Sequence, residues 1–237
     1  MSTFILVHGA WHGGWCWYKV VPLLRQAGHK AIAVDLPAFG RDRTDVREVS
    51  LQSYVDRVCA AMDDQPERAI LVGHGRGGIV ISQTAEQRPA RVEKLIYLAA
   101  FLLPGGDSIL PWALDDRESL LVPNLAVNRA QGYVTVKEEG YREALYGDCP
   151  DEDIALAAAL LTPEPIAPLV TLLDLSERNF GRVMRVYIET LRDNAVTLRA
   201  QRRMQAAVPC ATVISLNTGH APFFSAPQEL ADRLAAA

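Results

Sequence analysis

Three places in this chain carry residues whose types and spacing could do chemistry: the stretch Gly73-His74-Gly75-Arg76-Gly77-Gly78, Asp193, and His220. The glycine-rich stretch lies between the apolar runs Ala69–Val72 and Ile79–Ile81, the setting of a tight turn from a strand into a helix. Such a turn has two chemical uses. Read as G-x-G-x-x-G, it cradles a dinucleotide pyrophosphate on a helix N-terminus. Read as G-x-S-x-G, it is a nucleophile elbow that presents a serine hydroxyl. This chain differs from the second pattern at one position, since Gly75 stands where the serine would be.

The dinucleotide reading expects the loop after the first strand of the unit and a carboxylate about 20 residues on, closing the next strand. Here the loop follows the third apolar run, and the next strand ends Tyr97-Leu98-Ala99-Ala100-Phe101 without an acid. Glu86 comes too early and falls within the helix. The elbow reading is better served. Gly73 and Gly77 give the small flanks that the turn needs. An oxyanion hole takes one N–H from the residue after the nucleophile position, here Arg76, and one from a loop after an earlier strand, here His8-Gly9-Ala10-Trp11. The acid and the base should follow in that chain order. Asp193 comes after the run Val183–Ile188, and His220 after Thr212–Leu216.

These residues need a scaffold that brings strand ends together. Phe4–Val7, Ala31–Val34, Ala69–Val72 and Leu95–Ala99 read as strands, separated by helices over Trp17–Gln26, Leu51–Met62 and Ile79–Gln87. Strand–helix alternation implies parallel pairing with right-handed crossovers, and near-continuous apolar strands imply a sheet covered on both faces. The pattern stops after Phe101. From about 103 to 178 no buried strand is expected, and a helix over Asp153–Leu161 ends at Thr162-Pro163-Glu164-Pro165. The sheet then resumes with Val183–Ile188 and Thr212–Leu216, and a helix over Pro227–Leu234 closes the chain. The expected organisation is an α/β core over 1–102 and 179–237, with a helical cap over 103–178 inserted into it.

A chain of 237 residues suits one domain with an insertion. With 49% hydrophobic and 22% charged residues, the composition opposes disorder. A net charge of −4 without a basic stripe opposes a nucleic-acid partner. No apolar run approaches the ~20 residues of a membrane span. Phe4–Val7 follows Met1-Ser2-Thr3 directly, so no secretory leader is expected and a cytoplasmic location is the default. The cysteines Cys16, Cys59, Cys149 and Cys210 are scattered, with no zinc-type cluster. His8 and His12 straddle a glycine-containing turn rather than a helix face, so no metal site is expected. A homodimer is compatible with the sequence.

With these pieces assembled, the chain resembles the α/β-hydrolase superfamily, and most of all its branch of plant methylesterases, hydroxynitrile lyases and related bacterial esterases. The resemblance rests on VHGAWHGGWCWYKVVPLL from Val7, AGHKAIAVDLP from Ala27, ILVGHGRGGIVISQ from Ile70, YIETLRDNAV from Tyr187 and TGHAPFFSAPQELA from Thr218. A looser match, LYGDCPDEDIALAAALL from Leu145, is similar to the cap that roofs the pocket in that family. The resemblance implies an α/β-hydrolase fold with a mostly parallel sheet. It also implies Asp193 and His220 as acid and base, an oxyanion hole from the N–H groups of Ala10 and Arg76, and no cofactor. Gly9 and Ala221 are like the esterases; lyase members carry a hydroxyl residue and a lysine there. Gly75 departs from the family, which has serine. By position, Gly9, Trp11, His12, His74, Phe101, Trp112 and Met204 are expected around the substrate pocket; the aromatics and Met204 are as readily plain core.

Glycine has no side-chain atom to attack a carbonyl, so no acyl-enzyme can form at position 75. It does adopt the left-handed backbone of an elbow without the cost a serine carries there. The leading expectation is a Ser-His-Asp-type carboxylic ester hydrolase scaffold, taking a small ester or related carbonyl compound, whose nucleophile has been removed by design or by drift. The alternatives are a non-covalent enzyme of lyase, cyclase or isomerase type that uses His220 and Asp193, and a small-molecule binding protein that uses the capped pocket.

Overall fold

The computed structural model describes all of residues 1–237. In chain order the core begins with β1 (Thr3–Val7), α1 (Val20–Gln26), β2 (Lys30–Val34), α2 (Leu51–Asp63), β3 (Ala69–His74), α3 (Gly77–Gln87) and β4 (Val92–Leu98). An inserted region follows, with α4 (Ile109–Asp115), β5 (Leu125–Asn128), β6 (Tyr133–Val136), α5 (Asp151–Leu160), β7 (Glu164–Pro165) and α6 (Ile166–Val170). The core resumes with β8 (Met184–Thr190), α7 (Leu198–Ala207), β9 (Thr212–Leu216), α8 (Pro222–Ser225) and α9 (Pro227–Ala236).

The six core strands form one sheet in the order β2-β1-β3-β4-β8-β9, and every pairing is parallel. Alternate residues of a strand face opposite sides, and this chain uses both sides for burial. Ile5, Val7, Leu71, Leu95, Tyr97 and Tyr187 pack under α2 and α3. Phe4, Leu6, Ile70, Val72, Ile96, Leu98, Val186 and Ile188 pack against α1 and α9 on the other face. That is why the strands read as unbroken apolar runs. The start of α2 is fixed by a reciprocal cap, in which the Ser50 hydroxyl accepts from the Ser53 N–H and the Ser53 hydroxyl accepts from the Ser50 N–H.

The expectation of one helix over Trp17–Gln26 is corrected. A 3-10 turn over Gly14–Trp17 precedes a shorter α1 that starts at Val20. The inserted region is also less helical than expected. β5 and β6 form an antiparallel hairpin, and β6 pairs with β7, giving a second sheet of three strands. These strands span only four, four and two residues. Only Val134 and Val136 of the hairpin are buried, so no long apolar alternation announces them. No helix is long and apolar enough to cross a membrane.

Candidate active site

Four loops at the carboxyl ends of strands meet over the sheet: His8–Trp11 after β1, Gly75–Arg76 after β3, the Asp193 loop after β8, and the His220 loop after β9. Parallel strands all point the same way, so their following loops gather at one edge, where α/β sites form.

The turn after β3 is built by close approach. A Cβ at Gly73 would lie 2.7 Å from the Gly77 carbonyl oxygen, one at Gly77 2.8 Å from the Val7 oxygen, and one at Gly78 2.4 Å from the Phe101 oxygen. No side chain fits at these positions without moving backbone. Gly75 is different. Its φ is +51°, yet a Cβ built there has ordinary contacts only: 3.6 Å to His220 Nε2 and 3.7 Å to Gly9 Cα. The position has room for a side chain, and it faces the imidazole.

His220 Nδ1 lies 2.8 Å from Asp193 Oδ2, and both residues are buried. With that nitrogen donating to the carboxylate, Nε2 turns its lone pair toward position 75. Asp193 is held firmly. Its Oδ1 accepts from the N–H groups of Ala195 (2.8 Å) and Val196 (2.9 Å). Its Oδ2 also accepts from Thr190 Oγ1 (2.9 Å) and Gln201 Nε2 (3.2 Å). The acid therefore sits in its own nest of donors, and the ring has one orientation open to it.

Ala10 and Arg76 both line the pocket, and the backbone N–H of neither donates to any group of the protein. The loop that carries Ala10 is braced on every side. The Gly9 carbonyl accepts from Arg76 Nη2 (3.1 Å) and from His8 Nδ1 (2.8 Å), while His8 Nε2 accepts the Leu36 N–H. The Ala10 carbonyl accepts from His12 Nδ1 at 2.7 Å, while His12 Nε2 accepts a hydrogen bond from the Tyr146 hydroxyl at 2.7 Å. Trp11 has a positive φ of 63°, a cost for a bulky residue. Every polar group of Trp11 is bonded to the inserted region: its N–H to Glu164 Oε2, its carbonyl to the Thr162 N–H, and its indole to the Val134 carbonyl.

Three of the histidines are tuned to be neutral. Burial, the largest cause, pushes His12 down to about 4 and His8 and His74 well below the usual imidazole value; neighbouring His or Arg cations push the same way. Neutral His74 donates from Nε2 to the His220 carbonyl at 2.9 Å, and its ring packs 4.5 Å from the His220 ring. The inserted region reaches the His220 loop as well, since the Gly219 N–H donates to Asp148 at 2.7 Å.

The cavity in front of these groups has a volume of ≈ 130 Å³ and a mostly apolar wall. Trp11, His12, His74, Phe101, Trp112 and Met204, all expected there from sequence, do line it, as do Gly75 and His220. Gly9 does not, which corrects the expectation. Its Cα stands beside the turn, 3.7 Å from where a Cβ at residue 75 would lie, and a Cβ on Gly9 would meet His74 Nδ1 at 2.7 Å; glycine is needed there so that the loop can lie on the imidazole. Reading the sequence also missed Glu164, Tyr146, Gln201 and Asp116. Asp116 fixes the Asp193 loop by accepting from the Thr197 N–H (2.9 Å) and hydroxyl (2.6 Å). In the sequence Glu164 reads only as part of a helix stop. Its one signal was an acid between two prolines, too weak to mark a buried carboxylate.

A profile described as the alpha/beta hydrolase family matches residues 4–233. "Putative methylesterase 11, chloroplastic" of Arabidopsis thaliana is 36% identical over 97% of this chain and 62% of its own length. The chain thus spans less than two thirds of that relative. Among solved structures, polyneuridine aldehyde esterase superposes with a TM-score of 0.90 at 25% identity, covering 100% of this chain and 98% of the other. A variant of tomato methylketone synthase I complexed with beta-ketoheptanoate superposes with a TM-score of 0.89 at 27% identity, covering 99% and 96%. The chain belongs to the α/β hydrolase family, in its plant-methylesterase branch.

Proposed function

We propose that this chain is an esterase scaffold which binds a small carboxylic ester with an apolar flank but does not form an acyl-enzyme. The observation that carries this is the room at Gly75: a Cβ there stands 3.6 Å from His220 Nε2 and meets nothing closer. A serine hydroxyl on that Cβ would be within reach of the imidazole, which would take its proton while the oxygen attacked the ester carbonyl. The free N–H groups of Ala10 and Arg76 would receive the resulting oxyanion. With glycine the carbonyl can be bound and polarised, and no protein atom attacks it. The names of the methylesterase and of polyneuridine aldehyde esterase support the ester class.

The test is Gly75→Ser, assayed on small aryl and methyl esters. In serine hydrolases the loss of the serine costs about a millionfold in kcat, so a gain of at least about a thousandfold over the unaltered chain is expected. A folded variant with no gain would refute the reading.

A second reading is favoured by the intact His220–Asp193 pair and by the likeness to methylketone synthase I with its bound β-keto acid. A β-keto acid needs no nucleophile to react. The bond between its carboxylate carbon and α-carbon breaks, carbon dioxide leaves, and the electron pair passes to the ketone oxygen as an enolate held by the Ala10 and Arg76 N–H groups. His220 Nε2 takes the carboxyl proton of the acid before the bond breaks and then delivers it to the α-carbon, giving a methyl ketone. On this reading the unaltered chain releases carbon dioxide from a medium-chain β-keto acid, and His220→Ala abolishes the release. No release above the solution rate would eliminate it.

A further inference from the structure

The Arg76 side chain is among the largest fully buried groups of the protein, and the chemistry described above uses only its backbone N–H. A guanidinium is not buried without partners. This one has an unusual set. Its Nη2 donates to the Gly9 carbonyl at 3.1 Å. Its Nε forms an ion pair, 3.0 Å from Glu164 Oε1 in β7 of the inserted region and outside hydrogen-bond geometry; both side chains are almost wholly shielded from solvent, and Nη1 has no hydrogen-bond partner. Its Cζ lies 4.5 Å from the centre of the Tyr54 ring and 5.2 Å from that of the Phe39 ring. Glu164 in turn accepts the Trp11 N–H through its other oxygen. Burial pushes the Glu164 carboxyl up, and the Arg76 cation and the Trp11 N–H pull it back.

The two charges thus grip the two peptides that flank Ala10. One peptide joins Gly9 to Ala10, and its carbonyl is the oxygen that Arg76 holds. In a trans peptide the carbonyl and the N–H point in opposite directions. Fixing the Gly9 carbonyl toward the guanidinium therefore aims the Ala10 N–H away from it, toward the pocket, where it has no protein partner. A cation on the carbonyl also draws electron density through the amide, so the N–H becomes a stronger donor; chained hydrogen bonds in a low-dielectric interior strengthen one another in this way. The other peptide joins Ala10 to Trp11, and its N–H is anchored on Glu164.

We propose that the Arg76 side chain, held by Glu164, is a positioning residue for the oxyanion hole: it orients and polarises the Gly9–Ala10 peptide so that the Ala10 N–H meets developing negative charge. Arg76 then serves both halves of the hole, one by its own N–H and the other by its guanidinium. The inserted region acts as a brace of the oxyanion loop as well as a roof. The proposal rests on the oxyanion role given to Ala10 under the proposed function.

The test uses Arg76→Gln/Glu164→Gln, which removes both charges together and leaves neither buried alone, and Arg76→Lys, which keeps the charge but cannot reach both partners in the same geometry. In the Gly75→Ser background, the double variant should lose about 10- to 100-fold in kcat with KM within about 3-fold, a part of what one whole oxyanion donor contributes. Arg76→Lys should fall between the double variant and the parent. A rise in KM with kcat unchanged would overturn the proposal. The amide proton shift of Ala10 in the unaltered chain gives a readout that needs no turnover. It should move upfield in the double variant, while the His220 ring signals stay in place. If Gly75→Ser is inactive but this shift moves, the ester reading fails and the positioning role stands. If the shift does not move, the positioning role fails whatever the activity.

Discussion

The two halves of this site are built to opposite standards. On the side proposed to supply the acid, the base and the oxyanion donors, the groups are over-determined. Asp193 accepts from Thr190, Ala195, Val196, Gln201 and His220, and the Ala10 loop is gripped by His8, His12, Arg76 and Glu164. On the nucleophile side there is a glycine with open space in front of it. The contrast separates the parts of a hydrolase that bind and stabilise charge from the part that forms a bond. On the proposed reading, the first set is kept in this fold and the second is missing.

The contrast can be tested within one turn of chain. Gly78→Ala places a Cβ 2.4 Å from the Phe101 carbonyl oxygen and requires backbone to move. A loss of about 3 kcal/mol or more is expected in chemical denaturation. Gly75→Ala meets no atom closer than 3.6 Å and bears only the cost of a φ of +51°. A loss of about 1 kcal/mol is expected, since a less flexible unfolded chain offsets part of the strain. Equal losses at the two positions would show that the space at Gly75 is not real.

The braced groups have a weakness of their own, because His8, His12 and, beside Gly75, His74 are buried neutral. His12 titrates at about 4 in the folded protein and near 6.5 unfolded, so the unfolded chain takes up the proton first. Stability that is complete above pH 6.5 is therefore lost as the pH falls toward 4, by about 3 kcal/mol for this residue. His8 and His74 are shifted the same way and add to the loss. Glu164 is shifted upward and works in the opposite sense, over the carboxylate range. His12→Gln should flatten the stability profile between pH 6.5 and 4, measured by denaturant unfolding at each pH. An unchanged slope would mean that the ring is not held neutral.

The core was legible because its strands are buried on both faces. Ile70–Val72 and Leu95–Leu98 read as unbroken apolar runs for that reason, and loop positions after them followed from parallel order. Asp193 and His220 could be placed for the same cause. Helix α7 escaped, since along Leu198–Ala207 only Gln201 and Met204 are buried and the rest of its surface is polar. The hairpin β5–β6 escaped because its strands are too short for a period to show. Arg76 was visible as a backbone donor, yet its side-chain role depends on Glu164, 88 positions later in the numbering and in a region whose strands the pattern did not reveal. Partners supplied by an insertion leave no local spacing to read.

We propose a site that is complete except for one atom able to attack a carbonyl. It is tested most directly by treating the unaltered chain and Gly75→Ser with an aryl fluorophosphonate and measuring intact mass. A single covalent adduct is expected on the variant, located at position 75 and abolished by His220→Ala, and none on the unaltered chain. An adduct on the unaltered chain at another pocket residue, or a folded variant that takes up no label, would contradict it.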